Sequence, residues 1–280
     1  MSESNIFFLI LFAAILHAGW NLIIKSFTNS LSAMGIKTLV QSTIFIPFVF
    51  FVPLPTGITW LFIIASIIIH NYYFITLGIS YNKGDLSYVY PISRGCSPIF
   101  ITIFSLFFLQ DKVSVAGLAG IIIASFGLIL LTFNDIKNKI NLGVLKLALI
   151  ISFTICLYTL CDAAGVRSVS NSFSYIVWLF ALDGWLIFFY VYYKNKNDLL
   201  NIHLKGLGLI TLAAIMSFIG YGIIIWSMNY VEAGYVSSIR EASIIIATLF
   251  GFVFLKERFS LQRILAAVLF FLGISVIYLA

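Results

Sequence analysis

Seven side chains that water normally holds fall inside long apolar runs of this sequence: His17, His70, Arg94, Asp162, Asp183, Arg240 and Glu241. A charge at the centre of a membrane costs about 2.5 kcal/mol or more even on lenient scales, so each must face a partner or water. An arginine can hold a carboxylate or phosphonate by two parallel hydrogen bonds. A carboxylate such as Asp162 or Glu241 can meet an ammonium, and the His17 imidazole can carry a proton near neutral pH.

Spacing sorts these groups into stripes. Tyr90, Arg94 and Ser97 fall on one face of a helix, between Pro91 and Pro98, whose missing backbone donors suit a helix that lines a cavity better than one that faces lipid. Ser237, Arg240 and Ser243 make an equivalent stripe, with Glu241 on a neighbouring face. His17, Asn21 and Lys25 recur one helical turn apart, with Trp20 on the adjoining face. Tyr158 and Asp162 also stand one turn apart, so a phenol and a carboxylate can point into one space. His70, Tyr72 and Tyr73 offer polar-tipped rings that can stack on a ligand or gate a cavity; Asp183 beside Trp185, and Tyr221 with Trp226, are of the same kind. Each group has a plainer reading. The arginines can be clipped permanently to Asp162, Asp183 or Glu241, His17 and Asn21 can bond to neighbouring backbone, and Lys25 can snorkel to the interface. Arg167, near a helix end, reads as interfacial, and tyrosines near interfaces are ordinary belt residues.

The elements that must position these groups are membrane helices. Hydrophobic residues make up 62% of the 280 and charged ones 9%, with a mean hydropathy of +1.11, so the solvent for this surface is lipid. The net charge of +6 comes from cations in short connections without interleaved aromatics, which excludes a nucleic-acid patch. Cys96, Cys156 and Cys161 lie in apolar runs and read as small hydrophobes, with no metal or disulfide framework. At about 20 apolar residues per crossing, the sequence predicts an all-α protein with ten transmembrane helices. These are Ile6 to Lys25, Leu31 to Val52, Ile58 to Tyr81, Ser87 to Leu109, Val113 to Phe133, Val144 to Ala164, Ser172 to Tyr193, Leu207 to Asn229, Ala233 to Leu255 and Leu261 to Leu279. The first is read as a retained helix and not a cleaved signal.

The chain also says the same thing twice. Arg94, Ser97, Ile99, Thr102, Phe104, Phe108, Leu109, Asp111, Lys112 and Gly127 recur as Arg240, Ser243, Ile245, Thr248, Phe250, Phe254, Leu255, Glu257, Arg258 and Gly273, an offset of 146 (240 − 94). This divides the chain into a five-helix repeat over 1–133, a polar linker at 134–142 and a second five-helix repeat over 143–280. An odd helix count inverts the second copy relative to the first, giving two inverted repeats around a central cavity. Lys194 to Lys205 is the other long connection. Lys25, Lys37, Lys83, Lys137, Lys139, Lys146, Lys194, Lys196, Lys205, Lys256, Arg258 and Arg263 are assigned to one membrane face and only Lys112 and Arg167 to the other, so the charge rule alone puts both termini outside.

The whole pattern resembles the drug/metabolite transporter superfamily, and more narrowly its EamA-like branch. Leu109-Gln110-Asp111-Lys112 and Leu255-Lys256-Glu257-Arg258 close the fourth and ninth helices, and Gly127 and Gly273 lie near the ends of the fifth and tenth. Leu16 to Asn21 and Tyr158 to Arg167 are similar to signatures of a bacterial subgroup associated with phosphonate use. The resemblance implies alternating access to a central cavity, transport of small metabolites such as amino acids or their analogues, and a multi-pass protein of the bacterial plasma (inner) membrane. It also implies cytoplasmic termini, against the charge count. The polar inventory itself, two arginines and two histidines against three carboxylates, flanked by Trp20, Tyr72, Tyr73, Tyr90 and Tyr158, suits a small zwitterion or organic anion. The expected substrate-binding set is therefore His17, Trp20, Asn21, His70, Tyr73, Tyr90, Arg94, Tyr158, Asp162, Arg240 and Glu241.

No cofactor or metal is expected, nor a nucleic-acid partner; a coupling proton can pass through Asp162, Glu241 or His17. The partners expected are the small-molecule substrate and the lipid bilayer, the protein itself being a monomer or weak homodimer. Without HExxH, GxSxG or a P-loop, the sequence offers no catalytic framework and no direct ATP drive. A channel or membrane scaffold, and within transporters an organophosphonate or drug exporter, remain as alternatives. The first helix lacks the carboxylate of small multidrug exporters.

Overall fold

A computed structural model describes residues 3–82, 86–132, 142–200, 203–255 and 261–280. The predicted linker at 134–142 lies outside these residues except for position 142, as do Lys83, Lys256, Glu257 and Arg258. Eleven α-helices are described and no strand. They are α1 (Glu3–Lys25), α2 (Ser30–Phe45), α3 (Thr59–Asn82), α4 (Leu86–Phe108), α5 (Val115–Leu130), α6 (Leu142–Arg167), α7 (Ser172–Leu200), α8 (Leu204–Ser227), α9 (Ala233–Arg240), α10 (Ala242–Leu255) and α11 (Leu261–Leu279).

Local chemistry sets several of the boundaries. Asn29 caps α2 by accepting the Ser32 N–H at 3.1 Å, and α2 gives way at Phe45 to a 3-10 turn, Ile46–Phe51, where Pro47 removes a helical donor. Ser114 caps α5 through the Gly117 N–H at 2.9 Å. α4 runs straight through Pro91 and Pro98. Pro98 leaves the Arg94 carbonyl without its helical donor, and the Ser97 hydroxyl donates to it at 3.2 Å instead.

Among the described residues, eight helical stretches are long and apolar enough to cross a membrane: α1, α2 with its 3-10 extension, α3, α4, α6, α7, α8 and α11. α5 is a shorter apolar helix. The predicted ninth span is two pieces, α9 and α10, interrupted at Glu241. α7 continues to Leu200, past the predicted Tyr193, so Lys194 and Lys196 sit on a helix and not in a long connection.

The surface is turned inside out relative to a water-soluble bundle. On α3, Leu61, Ile64, Ile68 and Tyr72 point outward, while His70, Asn71, Tyr73 and Phe74 are buried. The protein is a multi-pass membrane protein. Its helices pack mainly across the two predicted repeats: α1 on α8 and α10, α6 on α3 and α4, α2 on α7, and α5 on α11. The α5–α11 seam explains the repeated glycines. A Cβ at Gly127 would stand 2.7 Å from the Phe270 backbone N and 2.9 Å from the Ala266 O, and one at Gly120 would stand 2.8 Å from the Gly273 O. Small residues let two backbones approach where lipid supplies no hydrophobic drive.

Candidate functional site

Where α1, α4 and the α9–α10 break converge, one carboxylate holds two arginines. Arg94 Nε donates to Glu241 Oε2 at 2.7 Å, while Arg240 donates to Oε1 through Nη2 at 3.2 Å and Nε at 3.3 Å. Arg94 and Arg240 are each 1% exposed and Glu241 is 0% exposed, so bulk solvent does not reach the pairing. The helix break suits this placement. Arg240 ends α9, where carbonyl dipoles favour a cation, and Glu241 immediately precedes the first turn of α10, where amide dipoles favour an anion. Interrupted helices that aim their ends at a buried site recur among transporters. Arg240 also donates to Ser237 Oγ at 3.4 Å, and the Arg94 guanidinium carbon lies 5.9 Å from the centre of the half-buried Tyr90 ring.

His17 completes the cluster in an over-supplied way. Arg94 Nη2 lies 3.3 Å from His17 Nε2, and Trp20 Nε1 lies 3.2 Å from His17 Nδ1. Arginine and tryptophan only donate, and a neutral imidazole has one accepting nitrogen, so one of these contacts goes without its hydrogen bond at any moment. The region is rich in donors.

A narrow cavity lies beside this hub, lined by His17, Trp20, Lys37, Gln41, His70, Tyr73, Phe74, Arg94, Tyr158, Phe180, Asp183, Ser217, Tyr221 and Arg240. Its volume is about 30 Å³, room for about one water. Much larger concavities, of about 760 and 400 Å³, have almost wholly apolar walls on the outer face of the bundle; the first includes the outward Tyr72. They are lipid-facing grooves without recognition chemistry. The polar cavity is the candidate site.

Lys37 corrects the sequence reading most sharply. Assigned to a connection as a topology charge, it lies in the middle of α2 and is 2% exposed. Its Nζ donates to Ser217 Oγ at 2.9 Å and stands 4.7 Å from the Trp20 ring centre and 5.5 Å from that of Phe74. Lys37 and Gln41, one turn apart, both line the cavity, and that spacing was the available signal. Ser217 and Phe180 were missed as well. Phe180 is indistinguishable in sequence from the lipid-facing phenylalanines.

Asp162 belongs to the wall and not to the lining. Its carboxylate accepts from Tyr175 Oη at 2.8 Å and from Tyr221 Oη, so two phenols from α7 and α8 occupy it. Tyr158, one turn away, does line the cavity, but stacked on His70 at 4.5 Å between ring centres. The opposite contact of His70 is Phe74 at 4.7 Å. With both faces taken, His70 cannot stack on a ligand as the sequence suggested; what it offers is its ring edge, with Nδ1 3.6 Å from Asp183 Oδ2. Tyr73 lines the cavity. Asn21 donates to the His17 carbonyl at 2.8 Å and Lys25 is exposed at the end of α1, the plainer readings in both cases. Tyr72 is 53% exposed and faces away.

One end of the bundle is tied across by hydrogen bonds. Arg167 Nη1 donates to Asp111 Oδ1 at 2.6 Å and its Nε to the Met228 carbonyl at 2.7 Å, so this arginine is a cross-bundle tie and not merely interfacial. Asp111 Oδ2 accepts from the Ala233 N–H at 2.9 Å, capping α9, and the Ser114 N–H donates to Tyr235 Oη at 3.0 Å. Gln110, with φ at 56°, is the left-handed residue that ends α4 and turns Asp111 toward these partners.

A buried ionic site inside an all-α membrane bundle defines the class, and the comparisons give it a name. Residues 142–279 match the EamA-like transporter family. The second half of the chain thus matches a family of membrane transporters and not enzymes. A solved crystal structure at 13% identity has the same fold, with a TM-score of 0.78 over 99% of this chain and 98% of its own. No curated protein matches.

Proposed function

We propose that the protein is a secondary carrier that moves a small polar metabolite, an amino-acid-like zwitterion or organic anion, by alternating access through the central cavity. The observation that carries this reading is a narrow cavity inside the helix bundle bounded by Lys37, Arg94, Arg240 and Asp183. A cavity with room for about one water must open to admit a metabolite, which favours a carrier over a standing pore.

Charge balance bears on the cargo. The buried cations Lys37, Arg94 and Arg240 formally equal the buried carboxylates Asp162, Asp183 and Glu241 in number. An unloaded carrier that sums to zero closes without stranding a charge, and a zwitterion keeps the sum at zero. An organic anion needs an accompanying proton, for which Asp162, Glu241 and His17 are the candidate carriers. The substrate-contacting residues proposed are His17, Trp20, His70, Tyr73, Arg94, Tyr158 and Arg240, with Lys37, Gln41 and Asp183 added. Asp162, Tyr90 and Glu241 act behind them.

The inverted repeat belongs to the same reading. Adding the offset of 146 turns the α1–α8 contact into the α6–α3 contact and maps α2–α7 and α5–α11 onto themselves, as a pseudo-twofold between halves requires. The Asp111–Arg167 tie is then the closed gate of one mouth.

Purified protein in liposomes tests the carrier reading. Preloading with an unlabelled amino acid or aminophosphonate should accelerate saturable uptake of the labelled compound. Flux that neither saturates nor responds to preloading would sink it.

A further inference from the structure

Lys37 and Asp183 are neighbours that do not pair. Lys37 stands on α2 and Asp183 on α7, and the two helices meet almost backbone to backbone at this level. A Cβ at Gly184 would collide with the Thr38 carbonyl, and the Gly184 N–H donates to Ser42 Oγ at 2.9 Å. Both charges line the one cavity. Yet among the described residues no carboxylate lies within ion-pair distance of Lys37 Nζ, which is held by Ser217 Oγ and two aromatic rings.

The arginines are in the opposite condition, since both already share Glu241. Lys37 is therefore the cavity cation whose charge is still open to an anion. Around Asp183 the polar atoms are also under-used. Its Oδ1 accepts from Asn71 Nδ2 at 3.3 Å, while His70 Nδ1 and Asn71 Oδ1 are buried without a hydrogen-bond partner. A buried polar atom left this way costs about 1–3 kcal/mol, and of these two residues His70 lines the cavity beside Asp183.

We propose that Lys37 and Asp183 form the head-group subsite for a molecule bearing an ammonium and an oxyanion on the same carbon, an α-amino acid or α-aminophosphonate. Lys37 takes the oxyanion and Asp183 the ammonium, with Asn71 Nδ2 donating to the Asp183 carboxylate. Adjacent charges of opposite sign, unpaired with each other, match such a head group; a dianion would meet Asp183 and a plain amine would meet Lys37. Trp20 and Phe74 keep water from the Lys37 ammonium, which strengthens its attraction to an oxyanion. The cargo side chain faces Phe180, Tyr158 and Tyr221. This assignment rests on the carrier reading and moves the anion anchor from the arginines to Lys37.

The test screens purified protein by thermal shift against the proteinogenic L-amino acids and their α-aminophosphonate analogues, then compares the best ligand with its carboxamide or phosphonate ester and its N-acetyl derivative. Wild type should bind molecules with both charges about tenfold or more tighter than either derivative. Whether the carboxylate or the phosphonate series binds more tightly identifies the natural oxyanion. Lys37→Gln and Asp183→Asn should each weaken the parent ligand about tenfold or more. The Lys37→Gln deficit should vanish for the derivative lacking the anion, and the Asp183→Asn deficit for the N-acetyl derivative. Derivatives that bind wild type as well as the parent does would overturn the subsite, and this comparison decides even if a variant fails to fold. Folded variants with wild-type affinity would overturn it too, leaving the carrier reading intact. If no zwitterion binds wild type, the subsite fails, while the carrier reading stands or falls separately on the liposome flux.

Discussion

α4 and the α9–α10 pair carry the same sequence motif and do different things with it. Arg94 lies inside an unbroken helix that tolerates two prolines; Arg240 ends a short helix that stops at Glu241. At the position of Glu241 the first copy has Gly95, which is pressed against α5. The duplicated arginines would repel each other across the site, and a carboxylate present in one copy only holds both. Duplication supplies the scaffold and a single departure from it supplies the charge that makes the site stable.

Glu241→Gln should therefore have the largest effect of any substitution in these two segments. It leaves two buried guanidiniums without an anion, a loss of about 3–5 kcal/mol, to be read as a lowered unfolding temperature in detergent. A variant that melts with wild type would show that the two arginines have another anion. Next come the arginines themselves. Arg94 makes the shorter contact, 2.7 against 3.2 Å, and also reaches His17, so Arg94→Gln should cost more than Arg240→Gln, at about 2–3 kcal/mol. Equal losses would argue for a symmetric hub.

Gly95→Ala probes the other side of the comparison. The added methyl would stand 2.8 Å from Ile129 Cγ1 and 3.1 Å from the Ser125 carbonyl, an overpacking cost of about 1–3 kcal/mol. Gly208→Ala, with nothing within 4 Å, serves as the control that should melt as wild type does. The smallest of these effects is expected at Asp111, just beyond α4, whose carboxylate caps α9 and so seats the second copy with the tail of the first. Asp111→Ala removes the cap and the Arg167 tie, about 1–2 kcal/mol, and should raise the accessibility of that mouth to a water-soluble thiol reagent more than it lowers stability.

Much of this was legible in the sequence. Hydropathy and the repeat specify an all-α membrane bundle, and buried arginines in apolar runs mark the site because lipid tolerates them nowhere else. The shared use of Glu241 was not legible: read on an unbroken helix it turns to a neighbouring face, and only the break at 241 brings it between arginines from two halves. Lys37 was hidden for a different reason. The stretch around it, with Ser32, Thr38, Gln41 and Ser42, is polar enough to resemble the approach to a loop, and only tertiary packing on α7 and α8 reveals that every one of those groups is buried. His70 was found but its role misjudged, since the rings that cover its faces come partly from α6. Sequence periodicity reports which residues share a face; it does not report which faces meet.

The most direct measurement of the central claim is labelling of a single cysteine at Gln41, which lines the cavity, in protein whose Cys96, Cys156 and Cys161 are replaced by alanine or serine. Sealed, uniformly oriented vesicles are exposed to a membrane-impermeant thiol reagent on one side at a time, with and without ligand. Alternating access predicts reaction from each side when that side alone is treated, and a ligand-dependent shift in the ratio of the two rates. Reaction from one side only, or rates from both sides that no ligand alters, would contradict it.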